Sequence, residues 1–581
     1  MAKRFAKHTL TSESKKSKRN QIINEYSGYT LSSNNVSIDT IKATEITPEE
    51  FHSKYIIPRK PVIIDGIFDG FPIEKFQFPQ IEDNLNSNDK LLVEEIDNGG
   101  FGSAQERIKL TFKEFIKKLK EEGNRYYLTT QYLEDDPDVI NLQDDGYEEI
   151  EDDDDDQEKG DWANEGDDDT DEGFTPPGSP IDSKNEGEIE EEIESSTATQ
   201  ENFSDTDSID FNNLHDDFDD LDDDDGDNGL VETEEIPDDE LVTRELSTGP
   251  LSIFEAKQRI KELIQKPLTE FFLDNELPLI PNLFSKLITQ QINIWVGSTK
   301  SAKGSSSPSL DLKKFKVDST QNDLGLGRKM IGGGISSGLH HDHADNLYVP
   351  LKGYKRFTIF SPRDAEKLYT VGDLDKIYKS GVINYTNNDN APFWKQLRSD
   401  SAIISETYNW KLETENDHDI KEKERSQMED FIDNEANLIN THEEKYQGIK
   451  FEPPSFSKIP VALLHLDQIP EEQASLKDSL NLAIKNNFPK LLEAKFTTVN
   501  LKPGQMFYLP SGWFHEVTSF GSDGSEVKDA NEPIHMALNY WFAPPSTESD
   551  DKVYKDNYWT DDFARTRAST NFFRENKDLY N

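Results

Sequence analysis

His340 and Asp342 stand one residue apart in the segment Gly338-Leu-His-His-Asp-His-Ala-Asp-Asn-Leu-Tyr348. On an extended strand that spacing turns both side chains to the same face. A third ligand has to come from elsewhere, and His515 offers itself at the end of Leu501-Lys-Pro-Gly-Gln-Met-Phe-Tyr-Leu-Pro-Ser-Gly-Trp-Phe-His515. There Lys502-Pro503-Gly504 reads as a turn, Gln505 to Leu509 as a strand, and Pro510-Ser511-Gly512 as a bend that presents the histidine. Two imidazoles and one carboxylate form the facial set that holds Fe(II) in non-haem oxygenases. Three protein ligands on one face leave three positions open, two for a bidentate 2-oxo acid and one for O₂. Taken alone, a His-x-Asp pair is weak evidence, because the aspartate can be a turn residue and the histidine a packed one. His341 and His343 fall on the opposite strand face, as supporting or surface residues. His535 reads as a structural histidine on a strand, and Trp513 and Trp541 as core or rim aromatics.

The elements that must position these residues lie on both sides of long polar stretches. The chain has 581 residues and a net charge of -53. Between Glu134 and Glu240 stand 48 acidic and 2 basic residues, so the rest holds 61 basic against 68 acidic, a net of only -7. The acidity belongs to one segment, and nothing in the body of the chain gives the basic footprint of direct nucleic-acid binding. There is no cysteine, which excludes disulfides, thiolate zinc modules and cysteine nucleophiles and fits an intracellular setting. No apolar run reaches the roughly 18 residues of a membrane span, and the N-terminus lacks an apolar signal core. Lys15, Lys16, Lys18 and Arg19 read as a nuclear signal or as a solvated tail, with a mitochondrial transit peptide as the third reading of this segment, and the expected location is nucleus, cytoplasm or both.

Seven stretches follow from composition and pattern. Residues 1–40 read as a basic disordered tail, and 41–133 as the first part of a folded domain. In that part Thr47 caps a helix with Glu50 at its third position, Pro61–Asp65 is a short buried strand, and Phe112, Phe115, Ile116 and Leu119 share one helix face. Residues 134–245 are an acidic insertion, expected to be disordered because like charge and few aliphatics cannot bury a core. Residues 246–398 carry the His-x-Asp pair, 399–450 form a second polar insertion, 451–545 carry the distal histidine, and 546–581 extend the C-terminus. Neither flanking half carries a complete metal set, so the insertions interrupt one domain.

The strings HHDHADNLYVPLKGYKRFTIFSP, LKPGQMFYLPSGWFHEV and IHMALNYWF resemble the JmjC hydroxylases, and most of all the small enzymes similar to factor inhibiting HIF. The likeness is specific over about 331–361 and 496–545, looser over 41–133 and 251–298, and covers neither insertion. It implies a mainly β fold with flanking helices, a double-stranded β-helix of the jelly-roll or cupin kind. It implies Fe(II) on His340, Asp342 and His515, with 2-oxoglutarate and O₂ as co-substrates. It places Lys355 on the distal carboxylate of 2-oxoglutarate, with Ser337 and Tyr127 near that end and Asn346 and Asn539 near the other carboxylate. Without the likeness Lys355 reads as a surface strand lysine, and each asparagine as a strand-end hydrogen-bonder. The activity expected is oxidative decarboxylation of 2-oxoglutarate to succinate and CO₂, coupled to hydroxylation of a protein side chain. The alternatives are N-methyl-lysine demethylation, hydroxylation of a tRNA base, and a binding protein that keeps the fold without the chemistry. A protein substrate is the expected partner, and a basic protein such as a histone or ribosomal protein can pair with the acidic insertion; its other reading is a solubilising spacer.

Overall fold

The computed structural model describes residues 22–68, 71–85, 88–96, 106–130, 241–300, 309–415, 420–447, 449, 451–521, 533–546, 549 and 552–580. Residues 1–21 of the basic tail and 134–240 of the acidic insertion lie outside these, whereas Leu241–Thr243, expected to be disordered, form a strand that pairs with Leu251–Ser252. The chain is mainly β with flanking helices, as expected.

Among the described residues eighteen strands, numbered in chain order, form four sheets. The largest has nine strands in the order β2-β3-β16-β11-β18-β9-β6-β4-β5. These are Thr40–Lys42 (β2), Val62–Asp65 (β3), Gln505–Leu509 (β16), Asp345–Lys352 (β11), Ile534–Phe542 (β18), Thr289–Ser298 (β9), Tyr126–Leu128 (β6), Leu91–Glu95 (β4) and Glu106–Leu110 (β5). A second sheet has the order β10-β17-β12-β15, with Ile335–Ser336 (β10), Phe514–Phe520 (β17), Tyr354–Phe360 (β12) and Phe496–Leu501 (β15). Ile23–Asn24 (β1) joins Leu374–Ile377 (β13) and Ile383–Tyr385 (β14) in a third, and Leu241–Thr243 (β7) pairs with Leu251–Ser252 (β8).

Side chains alternate across each strand, and this alternation sorts the core from the site. On the large sheet Ile292, Ile294 and Val296 of β9, Leu347, Val349 and Leu351 of β11, and Met536, Leu538 and Tyr540 of β18 enter one apolar cluster. The helices Phe112–Glu122 and Ile253–Leu263 bring Phe115, Ile116, Leu119, Ala256 and Ile260 into the same cluster. The opposite faces of those strands turn toward the second sheet. There Tyr348 and Ala537 meet Phe357, Ile359, Val499, Leu501 and Val517 in a separate cluster between the sheets. The metal and lysine candidates sit in this inter-sheet space.

Several local expectations hold in detail. Thr47 accepts from the Glu50 N–H, and Glu50 reaches back to the Thr47 N–H, closing the capping box. Thr111 and Glu114 do the same for the helix whose buried face is Phe112, Phe115, Ile116 and Leu119. Two expectations need correction. Residues 22–40 are not a tail: β1 pairs with β13, Tyr26 and Leu31 are buried, and the Tyr29 N–H donates to Pro58 O at 2.8 Å. The polar stretch 399–450 contains two helices, Ile404–Thr414 and Glu422–Tyr446. The second buries only Met428 and His442, which is why its sequence is so polar.

Candidate active site

His340 and His515 are held by each other's backbones. The His340 N–H donates to His515 O at 3.0 Å, and the His515 N–H to His340 O at 2.7 Å. His515 belongs to β17, whereas His340 makes an isolated bridge ahead of β11, which begins only at Asp345. The one-residue spacing of His340 and Asp342 therefore works in an extended segment rather than in a regular strand. The Gly512 N–H donates to Asp342 O at 2.8 Å and ties that segment to the bend before His515.

The three side chains converge. One ligand atom from each of His340, Asp342 and His515 lies within 4.8 Å of the others. Asp342 Oδ1 is 3.9 Å from His340 Nε2, and its Oδ2 is 3.6 Å from His515 Nε2. Both rings spend their other nitrogen on a backbone carbonyl. His340 Nδ1 lies 3.1 Å from Gly338 O, and His515 Nδ1 lies 2.9 Å from Trp513 O. A carbonyl only accepts, so each Nδ1 carries a proton and each Nε2 is the ring atom that faces Asp342. Burial holds His340 well below the usual imidazole range, with the neighbouring His515 adding to the effect, so His340 is neutral and able to ligate. Two imidazole Nε2 atoms and one carboxylate fit a divalent iron with open positions.

The pocket beside the triad is lined by Tyr127, Ser337, Asn346, Tyr348, Phe456 and Trp541, among others. Asn346 donates toward Asp342 Oδ2 at 3.4 Å, and Asn539 Nδ2 donates to Asn346 Oδ1 at 3.3 Å. Trp295 Nε1 in turn donates to Asn539 Oδ1 at 2.9 Å. Ser337 Oγ accepts from the Val517 N–H at 3.1 Å and donates to Gly338 O. Phe456 stacks on His340 with centroids 4.8 Å apart.

Lys355 lies at the other end of the same inward faces. On paired β12 and β17, Ile359 stands opposite His515, Phe357 opposite Val517, and Lys355 opposite Ser519. Lys355 is fully buried, which excludes the surface-lysine reading. Its Nζ donates to Ser519 Oγ at 2.7 Å and toward His535 Nδ1 at 3.3 Å, and no carboxylate pairs with it among the described residues. Burial alone lowers its ammonium to about 7. Tyr127 also bonds to the Ser519 side chain, and burial pushes its phenol up, so it stays a neutral hydroxyl. Gly297 makes this approach possible, because a Cβ there would stand 2.5 Å from the Tyr127 ring and 2.8 Å from His535 Cε1.

All eight residues expected at the site are therefore buried in the inter-sheet space, with Lys355, Ser519 and His535 as its closed end. His341 and His343 are outside it and are not at the surface. His341 Nε2 bonds to Tyr385 OH at 2.5 Å, and His343 packs on Trp394. Trp541 lines the pocket, while Trp513 is buried in the inter-sheet core. Sequence reading missed Trp295, Phe456, Ser519 and the Lys355 contact of His535. The available signal was alternation, since Ser519 is four residues beyond His515 on one strand face.

Residues 48–548 match the Cupin-like domain family, and the chain belongs to that family. The chain is 24% identical over 569 residues to JmjC domain-containing protein 4 of Schizosaccharomyces pombe, covering 89% of this chain and 87% of that one. Over 60 residues it is 42% identical to human tRNA wybutosine-synthesizing protein 5, a stretch that spans 10% of this chain and 18% of the relative. The family is consistent with the 2-oxoglutarate oxygenase superfamily. Among the described residues no helix is long and apolar enough to cross a membrane.

Proposed function

We propose that the protein is an Fe(II)- and 2-oxoglutarate-dependent dioxygenase that hydroxylates a protein side chain. The observation that carries this reading is the pairing of His340, Asp342 and His515 with a buried lysine that has no carboxylate partner, at opposite ends of one inter-sheet space. A buried ammonium is costly without a counter-charge, and a dicarboxylate that reaches both ends supplies one. His340, Asp342 and His515 would hold the iron, which supplies the activation of O₂ when bound.

The rest belongs to the protein. Lys355, Ser519 and Tyr127 bind and orient the distal carboxylate. Asn346 and Asn539 lie next to Asp342 and hold the end nearer the metal. Trp295, Phe456 and Trp541 make the remaining wall apolar, which limits water at the reacting centre.

A second reading is hydroxylation of a modified tRNA base. The similarity to tRNA wybutosine-synthesizing protein 5 favours it, and the shortage of basic charge opposes it. Mass spectrometry of material captured by an iron-ligand variant and then treated with wild type separates the cases. Gain of one oxygen on a protein supports the first reading, loss of a methyl group indicates demethylation, and gain of oxygen on RNA supports the second. A captured partner left unchanged by wild type with Fe(II) and 2-oxoglutarate contradicts catalysis and points to a binding role.

A further inference from the structure

The large sheet carries two primary amides that the dioxygenase reading does not use. Asn293 and Gln291 alternate with the core residues Ile292 and Ile294, so they share the face of Trp295, which lines the pocket. Across the pairing with β18, Asn293 stands opposite Asn539, and Gln291 opposite Trp541, both of them pocket residues. Continuing to β11, Trp541 stands opposite Asn346, and Asn539 opposite Tyr348. Gln291 thus lies on the rung nearest the metal end, and Asn293 on the next.

Asn293 is fully buried, yet neither its Oδ1 nor its Nδ2 has a hydrogen-bond partner, and Gln291 Oε1, also buried, has none. Asn539 beside it is satisfied on both atoms by Trp295 and Asn346. A buried amide left unpaired costs about 1–3 kcal/mol per group, and an apolar residue of that size would avoid the cost. Asn293 is 0 % exposed and sits beside the pocket lining, on the same face as its cross-strand partner Asn539, which lines it.

We propose that Asn293, with Gln291, determines substrate specificity by pairing with the amide groups of a polypeptide substrate. An amide presents one donor beside one acceptor, and another amide is its self-complement. Two such groups at positions i and i+2 of a strand are about 7 Å apart, the repeat at which an extended peptide presents its groups on one side. The matching group is an Asn or Gln side chain, or the N–H and C=O of a single residue of an extended main chain, which point to the same side. This inference rests on the dioxygenase reading.

The test uses the full-length protein with Fe(II), 2-oxoglutarate and a degenerate decapeptide library, scored by mass spectrometry for peptides that gain one oxygen. Asn293→Leu is compared with wild type, together with its melting temperature and its 2-oxoglutarate affinity with Mn(II) in place of iron. We expect library oxidation to fall by about tenfold or more, co-substrate affinity to stay within about twofold, and the melting temperature to stay level or rise, because an unsatisfied polar group has been removed. Wild-type preference for Asn- or Gln-containing peptides assigns the side-chain source, and indifference to them the main chain. Library oxidation by Asn293→Leu at the wild-type level overturns the inference alone, as does a fall of several degrees in melting temperature, which marks a structural role. Oxygen incorporation by wild type into RNA oligonucleotides but into no peptide also overturns it. A wild-type protein that forms no succinate under any of these conditions overturns the dioxygenase reading itself.

Discussion

The Lys355 ammonium lies 2.7 Å from Ser519 Oγ and 3.3 Å from His535 Nδ1, and 6.0 Å from the centre of the Tyr348 ring, which lines the pocket that holds Asp342. A lysine so placed is built for an anion that arrives from outside. Lys355→Met keeps the buried stem and removes the charge. Loss of one partner from a buried pair costs about 3–5 kcal/mol, so 2-oxoglutarate should bind on the order of a hundredfold more weakly, or worse, with metal affinity retained. The unliganded variant should melt no lower than wild type, since no buried pair is broken. Isothermal titration and thermal melts check both, and Lys352→Ala, with its half-buried side chain outside the pocket, should change neither.

Protonation of Lys355 gives the pH dependence. Below about 7 the free protein holds the ammonium ready, and above it the co-substrate has to bring a proton in with it. The dissociation constant for 2-oxoglutarate should rise by about tenfold per pH unit above neutrality, until the pKa of the bound form is reached. Stability follows the reverse sense. The folded value lies below the ordinary 10.5, so between about 7 and 10.5 the unfolded chain binds more protons. This group therefore makes the unliganded fold more stable as pH rises through that window. A dissociation constant that is flat from pH 7 to 9, measured with Mn(II), would remove Lys355 from the binding equilibrium.

Gly297 is needed for a close approach. Alanine there drives a methyl group into Tyr127 and His535, with Tyr127 bonded to Ser519 and His535 to Lys355. Gly297→Ala should weaken 2-oxoglutarate binding by about tenfold and leave Mn(II) affinity nearly unchanged, as read by calorimetry and by metal titration.

Arg59 anchors the bend that presents His515. Its guanidinium pairs with Asp345, which also accepts from Tyr508 OH at 2.7 Å and from the Ser511 N–H at 3.0 Å. Arg59→Met leaves the fully buried Asp345 without its cation and should cost about 3 kcal/mol. Weaker metal binding should accompany the lower melting temperature, because Asp345 holds the Ser511 N–H and the next residue, Gly512, donates to Asp342 O. Loss of stability with metal affinity intact would separate this network from the site.

The candidate metal ligands were legible because two constraints are local: a His-x-Asp spacing, and a turn-strand-bend leading to a histidine. Lys355 was legible only through family likeness, since a strand lysine looks the same whether it faces water or a buried anion. Trp295 was not legible because the pairing of β9 with β18 sets it against Asn539, 244 residues away, and Phe456 was not because it lies outside any strand and reaches His340 by ring stacking. Arg59 and Asp345 are 286 residues apart and illustrate the same limit. Residues 22–40 looked like a tail because Tyr26, Leu31 and Ile38 follow no period, and their segment is held by scattered backbone bonds and single buried side chains.

Succinate release from 2-oxoglutarate by wild type and by Asp342→Ala, each with Fe(II) and with the metal removed by chelator, tests the central claim most directly. The account predicts metal-dependent succinate from wild type and none above background from a folded Asp342→Ala, which has lost one of three ligands and the carboxylate among them. Succinate release by folded Asp342→Ala at the wild-type rate, or by wild type without metal, would contradict it.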